Sequence, residues 1–364
     1  MKVIMTGGGT GGHIYPAIAI ADKIKEKNPE AEILFVGTEK GLEKELVPQN
    51  GYQIKFITVS GFNRKNLIKN VKVVKDLLKG NKQAKKIIKD FKPDVVIGTG
   101  GYVCGPVVRA AHKLGIRTFI HEQNAFPGVT NKMLEKYVEN VFISFQDAEK
   151  YFKNKDKLIL SGNPVRKAFF YADKKTSRKN IGEDDSNFMI LCFGGSRGAG
   201  KINEAMVEIA ENLNGLKNVS LYFVTGAVYY DKILKELEEK GFHNKGNIYI
   251  EKYINNMQDY LGASDLVISR SGALTVSEIT VCGKASILIP SPNVTGNHQY
   301  YNAKAVSDKG GAVILEEKDL CAEKLLSIIS DFKINPQKVK RMEVSSLHAA
   351  PSDATEIIYS HLKL

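Results

Sequence analysis

The feature that most constrains this chain is an apolar strand that runs into a glycine-rich turn and then into a helical pattern. It occurs once in each half: the first half opens with MKVIMTGGGTGGHIYPAIAIADKI, and the second starts with FMILCFGGSRGAGKINEAM. Apolar strands alternate with helical stretches after both openings, which is typical of parallel α/β layers. The pattern therefore predicts an α/β protein with two Rossmann-like, doubly wound domains facing a cleft.

The apolar periodicity also predicts the elements of the first half and the domain boundary. A helix is expected over residues 17–27, and a long helix or helix pair over 67–91. The periodicity fades after residues 162–164, so we assign 1–162 to the first domain and 163 onward to the second. The predicted strands of the first half are 2–6, 32–36, 54–59, 94–99, 117–121, 140–144 and 157–161.

Composition narrows the environment of the protein. No transmembrane helix is expected, because the apolar stretch 95–108 is too short and is broken by glycines and Pro106. No signal peptide is expected either, since a strand and a polar loop follow Lys2 at once. The cysteines form no CxxC pair, which indicates reduced thiols rather than a disulfide or zinc framework; they are Cys104, Cys192, Cys282 and Cys321.

The net charge of +12 favours an anionic partner, and much of it lies in one segment. Residues 61–92 hold eleven Lys or Arg against two acids. Apolar residues fall near helical spacing, with lysines on the opposite face. A solvated face, docking onto anionic lipid headgroups, and nucleic-acid binding all remain open, the last being weakest because no binding motif is present. The apolar positions are Leu67, Val71, Val74, Leu78, Ala84, Ile87 and Phe91.

The opening loop contains GxGxxG spacing at Gly7, Gly9 and Gly12. A helix that starts after such a loop presents free N–H groups and a favourable dipole to an anion. A dinucleotide site also needs an acid about twenty residues further on, and the only candidate, Glu39, lies too late. The alternative to an anion-binding loop is a tight turn that binds no ligand. His13 follows the loop and is a candidate for removing a proton from a hydroxyl, although a packing role is equally compatible with its position.

Two further turns carry polar residues at the ends of predicted strands, where α/β sheets bind ligands. In FIHEQNAFPG we expect Asn124 to contact a ligand, with His121 and Glu122 holding the loop. CFGGSRGAGKIN repeats the phosphate-loop pattern, with a hydroxyl at Ser196 and a charge at Arg197. The segment does not have the pattern of an NTPase, because Lys201 does not fit GxxxxGK.

The segment ISRSGALTVSE ends a strand and starts a helix, with Glu278 about one turn inside. The first N–H groups could hold a diphosphate while the carboxylate accepts hydrogen bonds from a ribose diol; a dipole partner is the alternative reading of Glu278. Downstream, PSPNVTGNHQYYN offers the amides that commonly read sugars, unless it is a solvated loop capped by Asn297.

Read together, GGGTGGH, GTGGYVCGP, HEQN, GNPVR, GGSRGA and RSGALTVSE resemble the motifs of one family. They are similar to the marker set of the peptidoglycan N-acetylglucosaminyltransferases that convert lipid I to lipid II, and run in order over most of the chain. The resemblance implies a GT-B fold, with lipid I bound by the N-terminal domain and UDP-GlcNAc by residues 163–345. It further implies inversion at the anomeric carbon, no metal and no cofactor, and a C-terminal helix near 346–364 that packs back on the first domain.

The resemblance also implies roles for individual residues. Thr10, Gly11 and Gly12 would face the donor sugar and phosphates, and Asn124 the sugar. Arg166 and Ser196 would reach the nucleotide, Ile254 would present its backbone to uracil, and Gln299 and Asn302 would read GlcNAc hydroxyls. Diphosphate and ribose would be bound by Ala273, Leu274, Thr275, Val276, Ser277 and Glu278. Arg197 and His298 depart from the family pattern, which usually has glutamine at both positions.

An undecaprenyl-linked acceptor implies an enzyme held peripherally on the cytoplasmic face of the plasma membrane. Anionic inner-leaflet lipids would then bind the basic helix, and we expect Lys72, Lys75, Lys79 and Lys86 to make this contact. Other cell-wall synthesis proteins are further candidate partners. A dinucleotide-dependent oxidoreductase remains the alternative; tight NAD(H) binding with indifference to UDP would favour it.

Overall fold

The computed structural model describes residues 1–61, 69–195, 198–214, 216–242, 246–350 and 353–363, without the side chains of 69–72 and 295. The chain divides into two compact units. The first comprises Met1–Val165 together with Pro351–Leu364, and the second comprises Arg166–Ala350.

The first unit is built on a parallel sheet in the order β3-β2-β1-β4-β5-β6-β7. Its strands are β1 (Lys2–Gly7), β2 (Glu32–Gly37), β3 (Gln53–Phe56), β4 (Val95–Gly100), β5 (Arg117–Glu122), β6 (Asn140–Ile143) and β7 (Leu158–Leu160). Its helices before the boundary are α1 (Gly11–Lys27), α2 (Glu43–Gln49), α3 (Lys69–Phe91), α4 (Cys104–Lys113) and α5 (Val129–Leu134).

Both faces of this sheet are buried, because successive residues of a strand point to opposite sides. In β1, Val3 and Met5 pack into one apolar cluster and Ile4 into the other. In β5, Phe119 and Ile120 divide in the same way. Helices therefore cover both sides, which is the doubly wound arrangement that the sequence predicts.

The second unit repeats the plan with the parallel order β10-β9-β8-β11-β12-β13. Its strands are β8 (Phe188–Phe193), β9 (Val219–Val224), β10 (Ile248–Glu251), β11 (Leu266–Ser269), β12 (Ala285–Leu288) and β13 (Val313–Ile314). Its helices are α6 (Lys167–Phe170), α7 (Lys174–Ile181), α8 (Gly200–Leu213), α9 (Tyr230–Glu239), α10 (Met257–Ala263), α11 (Ala273–Val281), α12 (His298–Ser307), α13 (Ala322–Ile334) and α14 (Pro336–Ala349). The predicted fold class is confirmed in both units.

The last helix, α15 (Ala354–Leu362), belongs to the first unit although it follows the second in the chain. Ile358 and Leu362 are fully buried in the apolar cluster that also holds α1. At its N-terminal end, Lys23 of α1 forms ion pairs with Asp353 and Glu356 at 3.5 and 3.4 Å. These contacts hold both the apolar face and the first turn of α15 on α1.

The C-terminal end of α15 is held by an arginine. The Arg117 guanidinium donates to the Leu362 carbonyl at 2.6 Å and pairs with Glu139 at 2.9 Å. A cation near the last carbonyls of a helix satisfies unpaired acceptors and complements the dipole.

Some boundaries differ from the prediction. The first helix begins at Gly11 rather than 17, because the Thr10 carbonyl already accepts hydrogen bonds from the N–H groups of His13 and Ile14, at 3.0 and 3.3 Å. β3 ends at Phe56 rather than 59, and the Thr58 N–H donates instead to Gln83 Oε1 of α3 at 2.7 Å.

The buried face of α3 also differs from the predicted one. Val74 and Leu78 were expected to be on the apolar inner face, but they are 49% and 60% exposed. Ala84 is buried as expected, and Ile87 and Phe91 are half-buried against the core. The other buried positions are Val73, Gly80 and Ile88, which were not expected. The cause is a close approach at Gly80, where an added Cβ would lie 2.6 Å from the Thr58 carbonyl oxygen. The expected positions Leu67 and Val71 lie outside the described side chains. In the described part of the chain, no helix combines the length and apolarity needed to cross a bilayer.

Candidate functional site

The start of α1 presents the predicted phosphate loop. Thr10 is the extended residue before the helix, and its carbonyl accepts the first helical bond, from His13 N at 3.0 Å. Thr10 and Gly12 are exposed and Gly11 is half-buried. The neighbouring turn after β4 packs directly on this loop: a Cβ at Gly101, whose φ is +86°, would lie 2.4 Å from the Gly8 carbonyl oxygen. Glycine at 101 is therefore needed to bring the two turns together.

A buried carboxylate braces the same loop. Glu43, 1% exposed, accepts from Gly9 N at 2.9 Å and from Thr38 N and Thr38 Oγ1 at 2.9 and 2.7 Å. This acid lies four residues after Glu39, so it too comes too late in the sequence to bind the ribose of a dinucleotide. Its two oxygens are instead committed to the protein backbone and Thr38, and Glu39 is exposed at the surface. The geometry therefore opposes the dinucleotide reading.

His13 is the first member of a chain of hydrogen-bonded side chains in the first unit, His13–Gln123–His121, which we call the relay. Its Nδ1 is 3.1 Å from the Thr99 carbonyl oxygen and 3.0 Å from Gln123 Oε1. The Gln123 amide nitrogen lies 2.7 Å from the same carbonyl and 2.9 Å from His121 Nδ1. Gly100, with a φ of +113°, lies against the His13 ring, since a Cβ there would be 2.6 Å from Nδ1. His13 itself is half-buried.

The far end of the relay lies in the core. His121 is fully buried and its Nε2 is 2.9 Å from the Gly162 carbonyl oxygen. Burial lowers the pKa of His121 to about 4, against the opposing effect of the Gly162 bond, and the nearby His13 lowers it further. His121 is therefore neutral near pH 7 and takes the loop-holding position expected of it.

Glu122 likewise organises the loop that carries Asn124. Its buried carboxylate accepts from Asn124 N at 2.9 Å, Gly128 N at 3.0 Å and Asn131 Nδ2 at 2.8 Å. Asn124 is only half-buried, and its Nδ2 also bonds to Glu122 at 3.2 Å. Asn124 is thus held in a fixed orientation at the end of β5.

In the second unit, the turn after β11 leads into α11. The helix starts after Gly272, and Val276 N is 2.9 Å from the Gly272 carbonyl oxygen. The N–H groups of Ala273, Leu274 and Thr275 precede that bond, in the first turn of the helix. Leu274 and Thr275 are half-buried, whereas Ala273, Val276 and Ser277 are buried. The backbone, rather than these side chains, is what this turn presents.

Glu278 is half-buried one turn into α11. Burial raises the pKa of its carboxyl to about 7, and the Arg166 guanidinium opposes this rise. Within the described ranges, the carboxylate accepts no hydrogen bond from the protein. A half-buried carboxylate without a protein donor is suited to bind donors from a ligand.

Other predicted residues of the second unit support this turn. Ser271 Oγ donates to the Gln299 carbonyl at 2.8 Å, and Asn302 Nδ2 donates to the Ser271 carbonyl at 3.2 Å. Gln299 is half-buried and its Oε1 accepts from Ser291 N at 2.9 Å. Asn302 is fully buried, so in the structure its side chain braces the turn from within.

The remaining predictions fall in different surroundings. Arg166 is exposed, with its guanidinium 5.0 Å from the centre of the Phe169 ring, and the Ile254 side chain is buried. Ser196 and Arg197 lie outside the described residues. On α3, Lys75, Lys79 and Lys86 are exposed, whereas the Lys72 side chain is not described.

Two supporting residues, Glu43 and Arg270, were not singled out from the sequence, and Gln123 was part of the polar segment FIHEQN but was given no role. Arg270 Nη1 donates to the Ile289 and Pro290 carbonyls, both at 3.2 Å, and the guanidinium pairs with Glu317. The sequence signal that could have indicated Glu43 and Arg270 is a charged residue close to glycines, in GTEKGLE and SRSG respectively. Among the described side chains, no group of three His, Cys, Asp or Glu is placed to share a metal ion.

Comparison with known proteins adds relationships over the full chain. The model of the glycosyltransferase family 28 N-terminal domain matches residues 3–143, and that of the family's C-terminal domain matches residues 189–357. A protein of Alkaliphilus oremlandii (strain OhILAs) is 49% identical over 363 residues, covering 100% of this chain and 98% of its own. It is named UDP-N-acetylglucosamine--N-acetylmuramyl-(pentapeptide) pyrophosphoryl-undecaprenol N-acetylglucosamine transferase.

A protein of Thermoanaerobacter sp. (strain X514) with the same name is 48% identical over 363 residues, covering 100% of this chain and 99% of its own. Among solved structures, the crystal structure of Acinetobacter baumannii MurG superimposes with a TM-score of 0.78 and 27% identity. That match covers 100% of this chain and 99% of the other.

Proposed function

This chain belongs to glycosyltransferase family 28, and on that premise we propose that it transfers GlcNAc from UDP-GlcNAc to lipid I, undecaprenyl-pyrophosphoryl-MurNAc-pentapeptide. The product is lipid II, the precursor used in peptidoglycan synthesis. The observation that carries the proposal is identity of nearly one half, over the whole chain, to transferases named for this reaction. The oxidoreductase alternative is set aside, because Glu39 and Glu43 both lie too late for a dinucleotide site and Glu43 accepts a hydrogen bond from Gly9 N of the opening loop.

His13 is our candidate for the catalytic base. Both groups at its Nδ1 are oxygens that carry no hydrogen, so Nδ1 is the protonated nitrogen and Nε2 keeps its lone pair. As the acceptor hydroxyl oxygen bonds to the anomeric carbon, its proton passes to Nε2 and the bond from that carbon to the UDP oxygen breaks. A single displacement of this kind inverts the anomeric carbon. Thr10, Gly11, Gly12 and Asn124 then contact the substrates in the same unit.

The second unit binds the donor in this proposal. The first N–H groups of α11 carry the diphosphate, and Glu278 accepts hydrogen bonds from the ribose diol. Arg166, Ser196, Ile254 and Gln299 complete the contacts, with Asn302 supporting the turn. Negative charge that develops on the departing UDP is stabilised by the same N–H groups, so that no metal ion is needed.

The α3 surface is our candidate for membrane attachment. Exposed Val74 and Leu78 lie beside exposed Lys75 and Lys79, which combines apolar insertion with attraction to anionic headgroups. The enzyme would thereby sit peripherally on the cytoplasmic face of the plasma membrane, where its lipid-linked acceptor is anchored.

The activity is tested with purified protein, UDP-GlcNAc and a soluble lipid I analogue. We expect release of UDP and a β-linked disaccharide product, undiminished by EDTA. Loss of turnover in EDTA would reject the metal-independent step alone. Absence of any product, or tight binding of NAD(H) without response to UDP-GlcNAc, would reject the transferase assignment.

The same assay tests the base. His13→Ala is expected to lower kcat by about 100-fold or more, with the KM for UDP-GlcNAc little changed. A variant with near-normal kcat would show that the proton goes elsewhere.

A further inference from the structure

We infer that Gln123 is a positioning residue for His13. Together with the Thr99 carbonyl, it holds the ring in the tautomer that has Nδ1 protonated and Nε2 unprotonated. As regards catalysis, this rests on the proposed function of His13. The assignment of the ring's tautomer stands on geometry alone and can be tested separately.

The first step is the chemistry around Nδ1. The Thr99 carbonyl oxygen and Gln123 Oε1 lie 3.1 and 3.0 Å from it, and neither oxygen carries a hydrogen. A neutral imidazole has one N–H and one lone pair, so a nitrogen facing two acceptors must carry the N–H. The lone pair is then on Nε2, the nitrogen on the opposite side of the ring.

The second step is the orientation of the Gln123 amide. Its nitrogen is 2.7 Å from the Thr99 carbonyl oxygen. If the amide were turned over, its oxygen would face that carbonyl at hydrogen-bond distance, with two acceptors opposed. The Thr99 carbonyl therefore fixes the amide with its oxygen toward His13.

The third step is the other end of the relay. The Gln123 nitrogen lies 2.9 Å from His121 Nδ1, which must accept, so His121 carries its hydrogen on Nε2 and donates it to the Gly162 carbonyl at 2.9 Å. Burial lowers the pKa of His121 to about 4, which keeps it neutral near pH 7. Each donor in the chain thus faces an acceptor, and reversing His13 would leave its Nδ1 lone pair against two oxygens.

The fourth step separates positioning from substrate contact. Gln123 is 2% exposed and His121 is fully buried, whereas His13 is half-buried. The relay therefore runs from the accessible ring into the core. Gln123 acts on the reaction through His13, and its effect should disappear when His13 is absent.

The tautomer is measured first, in wild-type protein carrying ¹⁵N-labelled histidine. The ring signals of His13 are assigned by their loss in His13→Gln. We expect the neutral ring to have Nδ1 protonated, and Gln123→Met, similar in size but without the amide, to raise the fraction protonated at Nε2. Wild-type His13 protonated at Nε2 would overturn the inference whether or not the enzyme is active.

The catalytic consequence is measured by a double-mutant cycle. Gln123→Met should lower kcat by about 10- to 100-fold, as expected for a misplaced catalytic group, with the KM for UDP-GlcNAc unchanged. In the His13→Ala background the same substitution should change kcat by less than about twofold. The exposed Gln146→Met is the matched control and should leave kcat and the His13 signals unchanged.

The outcomes of the cycle are distinguishable. An equal loss in both backgrounds would show a general structural role for Gln123 and overturn the positioning role. If His13→Ala is itself active while the wild-type tautomer is as assigned, the proposed base fails and the ring geometry survives. A Gln123→Met protein that fails to fold leaves the wild-type tautomer measurement to decide.

Discussion

At the scale of single residues, the proposed role of Glu278 places two opposing requirements on its carboxyl group. A ligand diol is bound best by a charged carboxylate, yet burial in α11 disfavours that charge and raises the pKa to about 7 from an ordinary 4.5. Between these two values the folded protein binds more protons than the unfolded chain. The free energy of unfolding therefore falls as pH rises through this window. The contribution of the Glu278 carboxyl to stability is therefore fully present below about pH 4.5 and is lost above about pH 7.

Replacing Glu278 by Gln removes the buried charge at high pH. We expect Glu278→Gln to be more stable than wild type at pH 8, by on the order of 2 kcal/mol, with the difference vanishing near pH 4. Urea unfolding followed at both pH values measures this, with the exposed Glu239→Gln as control. The same variant should bind UDP-GlcNAc at least tenfold more weakly. A gain that is equal at both pH values would contradict the assigned cause.

At the scale of elements, the exposed side of α3 is both apolar and basic. Leu77 is 38% exposed next to Val74 and Leu78, and Lys75, Lys79 and Lys86 are exposed on the same helix. A merely solvated helix gains nothing from exposing three apolar side chains, whereas an interfacial helix buries them among lipid headgroups.

Charge reversal separates these alternatives. The quadruple variant Lys72→Glu, Lys75→Glu, Lys79→Glu and Lys86→Glu is expected to lose binding to vesicles that contain anionic lipid, at about 1 kcal/mol per lysine. Co-sedimentation at low and high salt measures the loss. The control reverses Lys175, Lys179, Lys232 and Lys235 of the second unit, which changes the net charge equally and should retain binding. Unchanged binding of the α3 variant would show a solvated face.

The elements also show what sequence could and could not predict. Apolar strands ending in glycines predicted where β1, β4 and β11 end, and hence where His13 and Glu278 lie. The inner face of α3 was wrong for Val74 and Leu78, because one residue of helix turns the face by about 100° and the contact that sets it, Gly80 against Thr58, is not a local pattern. The roles of Glu43 and Gln123 were missed for a similar reason: the sheet order brings Gly9 to Glu43, and His13 to Gln123, from distant parts of the sequence.

At the scale of the whole molecule, α15 completes the core of the first unit. Ile358→Ala is expected to destabilise that unit by about 2–4 kcal/mol, through lost burial and the resulting cavity. Hydrogen exchange followed by mass spectrometry should show faster exchange in β1 and β5 and no change in β8 to β12. Ile334→Ala, at a position 74% exposed in the second unit, is the matched control. Equal acceleration in both units would contradict the assignment of α15 to the first.

The position of α15 also has a consequence for biosynthesis. A ribosome releases residues 1–165 long before it releases Ile358 and Leu362, so the first sheet must wait, with part of one face uncovered, while the second unit is translated. Chaperones that recognise exposed apolar surface would therefore meet the amino-terminal half of the nascent polypeptide for longer than its carboxy-terminal half. Termination just after the second unit would yield that unit complete beside an incomplete first one.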